Sequence, residues 1–164
     1  DPARYDMLTL GVEPISPFSA PGRAGRARHT LPGSAEQPTP YLSYTPNAYL
    51  GRMTEVIIAN GPHPLHLDRV YETDMAEGLK AMALAGHGVA FLPHSAVEDA
   101  VADGRLIRLD RAMRGVPQGQ FTLTMEIRLY RDKLAAQSDD ARHQLVRALW
   151  GVVAAELEQQ ARQS

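Results

Sequence analysis

The residues best suited to chemistry in this chain stand just after short apolar runs. Thr45 and Asn47 follow the run 41–44, Thr73 and Asp74 follow 65–71, and His94 and Ser95 follow 89–92. If those runs are parallel strands, each group lies beyond a carboxyl end, where ligands of α/β sheets bind. Helices that start there offer free N–H groups and a partial positive charge, which suit a small anionic or polar ligand. Asn47, Asp74 and Ser95 serve equally well as plain helix caps.

Other chemistries lack their parts. There is no cysteine, which excludes disulfides, thiolate metal sites and a thiol nucleophile. Six histidines are present. His63 and His66 are three apart, on opposite faces of an extended chain. His87 falls in a turn, and no histidine or acid recurs at helical spacing, so no metal site is expected. Gly86-His87-Gly88 follows a helix and precedes a strand, the reverse of a dinucleotide loop. No Gly-x-Ser-x-Gly elbow or phosphate loop occurs, and no spacing selects a Ser–His–acid triad. No catalytic residue and no cofactor are assigned, and the chain is not expected to be an enzyme. Six methionines are present, and Met75 and Met82 at helical spacing read as ordinary core.

The elements that position these residues alternate. Residues 7–18 read as extended, and 19–40, rich in proline and glycine and carrying Arg23, Arg26 and Arg28, as a long loop with solvated arginines. A strand at 41–44 leads to a helix at 48–58 with Asn47 as N-cap. A strand at 65–71 leads to a helix opened by Thr73 or Asp74, with Glu77 closing a capping box and Met75, Leu79 and Met82 as its apolar stripe. Gly86 to Gly88 stops that helix. The apolar run 89–92 reads as a buried parallel strand. Ser95 and Glu98 form a capping box for a helix to about residue 102, and 106–109 is a further strand. Such alternation implies right-handed crossovers on a mostly parallel sheet. Residues 121–130 alternate as a strand with one buried face. Ser138 caps a last helix with Leu145, Leu149, Val152, Val153 and Leu157 as its buried stripe.

The chain has 164 residues, 44% hydrophobic and 22% charged, enough for one globular domain or two small lobes. A net charge of -2 argues against nucleic-acid binding as its main business. No apolar run reaches the ~18 residues that cross a bilayer. The start, Asp-Pro-Ala-Arg-Tyr-Asp, shows no signal peptide and no initiator Met, so a cytoplasmic fragment of a longer protein is expected.

Met82-Ala-Leu-Ala-Gly-His-Gly-Val-Ala-Phe-Leu-Pro93, followed by Ala102-Asp-Gly-Arg-Leu-Ile-Arg-Leu109, resembles a signature of the effector domains of LysR-type transcriptional regulators. Tyr41-Leu-Ser-Tyr-Thr-Pro-Asn-Ala-Tyr-Leu-Gly-Arg52 is similar to a segment of the hypochlorite-responsive subgroup. The resemblance implies a periplasmic-binding-protein-like bilobal α/β fold with mostly parallel sheets, one lobe complete and the other partial. Residues 1–20 would be a partial first lobe, 21–118 the second lobe, and 119–164 the return strand and C-terminal helix of the first, with chain crossings near 18–22 and 116–120. It implies a small-molecule effector held between lobes by Thr45, Asn47, Thr73, Asp74 and His94, and it makes Met75 and Met53 candidate oxidant sensors. Where the subgroup places a methionine before the Gly-Arg pair, this chain has Leu50. A homodimer or tetramer, with DNA reached only through a winged helix-turn-helix outside this chain, would complete the regulator. A solute-binding protein of the same fold and a small α/β enzyme are the alternatives.

Overall fold

The computed structural model describes residues 2–111, 119–133 and 140–163. At its centre lies a strand covered on both faces, which is what an uninterrupted apolar run demands. This strand, β4 (Val89–Pro93), is buried along its whole length. Val89 and Phe91 enter one apolar cluster with Ile15, Tyr41, Ile57 and Phe121. Ala90 and Leu92 enter another with Leu42, Tyr44, Leu79 and Val97.

The strands are β1 (Tyr5–Ser19), β2 (Thr39–Tyr44), β3 (Leu67–Thr73), β4, β5 (Ile107–Arg108) and β6 (Leu123–Asp132). Their order is β3-β2-β4-β1-β5, and β6 pairs with β1. β2 is parallel to both β3 and β4. β1 is antiparallel to β4 and β5, so β3, β2, β4 and β5 point one way and β1 runs against them. The helices are α1 (Tyr49–Ala59), α2 (Ala76–Leu84), α3 (His94–Ala102) and α4 (Ala141–Gln163). Leu79 and Ala83 of α2 and Val97 and Ala100 of α3 pack on one face of the sheet, and Ile57 of α1 packs on the other. None of the described helices is long and apolar enough to cross a membrane.

By compactness the chain divides into unit 1 (Asp1–Val12 with Glu126–Ser164) and unit 2 (Glu13–Met125). The divisions fall inside β1 and β6, some residues from the crossings expected near 18–22 and 116–120.

The helix starts correct several expectations. α1 begins at Tyr49 with Ala48 at its N-cap and no side-chain cap bond. Asn47 instead gives its backbone carbonyl to Arg52 Nη1 at 2.9 Å. α2 has Met75 at its N-cap; Thr73 Oγ1 accepts the Met75 amide at 3.3 Å, while Glu77 pairs with Lys80 at 2.7 Å rather than reaching back to Asp74. α3 starts at His94 after Pro93, and the Ser95 amide donates to Glu13 Oε1 at 3.1 Å, so no Ser95–Glu98 capping box forms. Pro93, with φ of -58° and ψ of 140°, takes the N-cap place, so the helix starts two residues earlier than a Ser95 cap would set it.

The C-terminus of α2 follows the expected rule. Gly86 has φ of 80°, with its amide donating to Ala83 O at 2.9 Å and the His87 amide to Met82 O at 3.1 Å. Only glycine takes that left-handed turn without strain. Gly88 answers a different need: a Cβ there would meet Pro40 O at 2.6 Å, so its lack of a side chain lets β4 approach β2.

Two apolar stripes differ from expectation. Leu79 is fully buried and Met82 partly so, but Met75 is 62% exposed. On α4, Leu145, Leu149 and Val152 are exposed, and Val153 and Leu157 are half-buried. In unit 1, Arg131 pairs with Asp6 at 2.9 Å and lies over the Trp150 ring, 4.4 Å from its centroid. The helix-cap role expected for Ser138 lies outside the described residues.

Candidate functional site

Parallel strands end on a common edge, so the residues after β2, β3 and β4 converge in unit 2 although they are far apart in sequence. Tyr44 stands opposite Thr73 in the β2–β3 register, and the Thr45 amide donates to Thr73 O at 3.0 Å. His94 follows β4, the next strand in the sheet. β1, running the other way, brings Glu13 and Ser16 to the same edge, with Ile15 opposite Pro93 and Ser16 opposite Leu92.

His94 is half-buried and sits edge-on to Phe18, 5.7 Å between ring centroids. Its Nε2 lies 2.8 Å from Ser16 Oγ, and Ser16 Oγ lies 2.7 Å from Thr122 Oγ1. Thr122 donates to Asp110 Oδ2 at 2.6 Å. Arg108 grips the same carboxylate with two bonds, Nε to Oδ1 at 2.5 Å and Nη2 to Oδ2 at 2.7 Å, and also donates to Thr122 at 3.0 Å. Asp110 is 1% exposed and Ser16 is fully buried.

The directions of these bonds follow from proton counting. Asp110 is ionised, so it accepts, and the single Thr122 proton points to it. Ser16 must then donate to Thr122, which leaves Ser16 to accept from His94. The chain therefore runs His94 Nε2–H to Ser16 to Thr122 to Asp110, with Arg108 as counter-ion, and keeps a proton on Nε2. Burial pushes the Asp110 carboxyl up; the hydrogen bonds from Arg108 and Thr122 outweigh it and hold the carboxyl below its ordinary value, with the charges of Arg108 and His94 acting the same way.

A Ser–His pair at 2.8 Å has the separation of a nucleophile and its base. Its polarity is reversed: the serine accepts from the histidine and has no surface to offer a substrate. The pair orients His94 and does not activate Ser16.

Of the residues expected at the site, Thr45, Thr73 and His94 share the carboxyl edge. The exposed Asn47 and Asp74 belong to the turns beside it and cap nothing with their side chains. Met75 is exposed at the N-cap of α2. Met53 packs on the opposite face, with the cluster around Ile57 and Phe91. Sequence reasoning missed Glu13, Ser16, Arg108, Asp110 and Thr122. Their separations of up to 106 residues carry no local signal. Thr122 read only as the outward face of a strand, and Arg108 only as part of the short strand 106–109.

A family model described as LysR substrate binding domain matches residues 1–158. The HTH-type transcriptional regulator YjiE of Escherichia coli (strain K12) is 28% identical over 127 residues, covering 77% of this chain and 41% of that protein. The full-length structure of HypT from Salmonella typhimurium, a hypochlorite-specific LysR-type transcriptional regulator, superimposes with a TM-score of 0.74 at 28% identity, covering 92% of this chain and 47% of that one. The bromide-bound regulatory domain of HypT gives a TM-score of 0.72 at 27% identity, covering 92% and 66%. The chain thus spans less than half of the full-length regulators it matches and about two thirds of the regulatory domain.

Proposed function

The chain belongs to the LysR substrate-binding domain family, and from that premise we propose that the carboxyl edge of β2, β3 and β4 contacts a small polar or anionic effector. The observation that carries this reading is the gathering of Thr45, Thr73 and an oriented His94 on one edge. The Ser95 amide in the first turn of α3 holds the Glu13 carboxylate, as the positive end of a helix favours negative charge. The bromide held by HypT supports an anion as the ligand class. In a LysR-type regulator the binding free energy would be relayed to DNA-binding domains of a dimer or tetramer, and a cytoplasmic role follows from the same reading.

The test is a thermal-shift screen of halides, carboxylates and small polar metabolites, repeated on Thr45→Val and His94→Ala. A ligand that raises the melting temperature of the wild type and loses its effect in both variants supports the site. A ligand whose effect both variants keep rules it out.

One observation favours a second reading, oxidant sensing. Met75 is the methionine at this edge and is 62% exposed, open to hypochlorite, whereas Met53 is half-buried on the other face. Peptide mass spectrometry after limited hypochlorite treatment is expected to find Met75 oxidised before Met53 and Met82. An acyl-transfer enzyme is disfavoured by the sealed Ser16.

A further inference from the structure

Between Glu13 and Glu36 the sequence holds no acidic residue but three arginines, against a net charge of -2 for the whole chain. The arginines lie on a loop with a fixed backbone. Pro21 bridges to Ala27. Gly22 donates to Arg26 O at 2.6 Å, Arg26 to Arg23 O at 3.3 Å, and Arg28 to Ala20 O at 2.8 Å. A short 3-10 turn at Arg23–Gly25 closes the tip, with Ala24 at φ of 55° and Gly25 at 70°. A non-glycine residue held in that region costs about 1 kcal/mol or more and persists only where its surroundings impose it.

The loop surrounds an open hollow of about 760 Å³, whose charged lining consists of Arg23, Arg26 and Arg28. All three are exposed, and none forms a side-chain ion pair or hydrogen bond among the described residues. Arg28 lies over Gly86, where a Cβ would meet its Nη1 at 2.8 Å, so its guanidinium also faces the carbonyl end of α2. Arg23 and Arg26 have no such anchor. The amides of Gly22, Arg26 and Arg28 are spent within the loop, so guanidinium groups must do the binding.

We infer that the 21–28 loop is a second binding site, specific for a multiply charged phosphate anion. A lone carboxylate satisfies one guanidinium fork; three forks around one hollow need an anion with oxygens on several centres. The phosphate could come from a free phosphate chain or from a nucleic-acid backbone, and the probes separate the two.

The chain is titrated with linear tripolyphosphate and, separately, with a 12-base-pair duplex, in low-salt buffer, by calorimetry and by amide NMR. The expected result is amide shifts centred on residues 21–28 and affinity that falls at least ~10-fold in Arg23→Ala/Arg26→Ala, about 1.4 kcal/mol by that ratio. Lysine at both positions should restore part of it, because lysine keeps the charge without the fork. Binding of tripolyphosphate assigns a free anion. Binding of the duplex alone assigns a nucleic-acid backbone, with a salt slope lower by about 2 in the alanine variant. No binding of either probe, or binding that the alanine variant retains, overturns the inference. The outcome is independent of the carboxyl-edge site, whose reporters are Thr45, Thr73 and His94.

Discussion

Asp110 is the residue on which the polar chain of unit 2 turns. It is 1% exposed and receives Arg108 twice and Thr122 once. Removing one member of a buried ion pair leaves the other uncompensated, at a cost of about 3–5 kcal/mol. Asp110→Ala is expected to fall in that range in urea denaturation, and a loss under about 1 kcal/mol would show that the pair is not buried in solution. The folded carboxyl titrates below its unfolded value, so the folded state sheds this proton more readily. Its contribution is complete above the unfolded value near ~4 and is lost as pH falls through the folded one. The stability difference between wild type and Asp110→Asn should therefore hold steady between about pH 5 and 7 and shrink below about 4. The sequence showed the individual residues but not their union: Ser16 falls in the segment 7–18 that reads only as extended, and only the antiparallel seating of β1 beside β4 puts it against His94.

At the level of elements, β4 and its neighbours were legible because burial on two faces writes itself as an apolar run, and the Gly86 turn because its backbone conformation excludes other residues. The helix starts were not. Side-chain caps compete with backbone turns and with long-range partners, and here Glu13, 82 residues away in sequence, takes the Ser95 amide. The stripe of α4 misled for a related reason: periodicity says which residues share a face, not what covers it, and Leu145, Leu149 and Val152 are exposed. Gly88 gives the sharpest test at this scale. A Cβ there would sit 2.6 Å from Pro40 O, a backbone atom that moves only if β2 and β4 separate. Gly88→Ala should destabilise unit 2 by about 1–3 kcal/mol, with the largest amide shifts in 39–42 and 88–91. Unchanged stability would mean that the two strands are not held this close.

For the molecule as a whole, the family assignment rests on a match to residues 1–158, while the site reading rests on unit 2, where the sheet edge, His94 and its relay are built from residues within Glu13–Met125. The motif at 82–93 announced the family, while strand order decides which of the turns proposed to meet an effector share an edge. The most direct measurement is an amide NMR titration of the chain with sodium bromide, with potassium sulfate at matched ionic strength as control. Saturable bromide shifts are expected to concentrate at Thr45, Thr73, His94 and Ser95, and His94→Ala should remove them. No saturable shifts, shifts located elsewhere, or shifts at this edge unchanged by His94→Ala would contradict an anion site there.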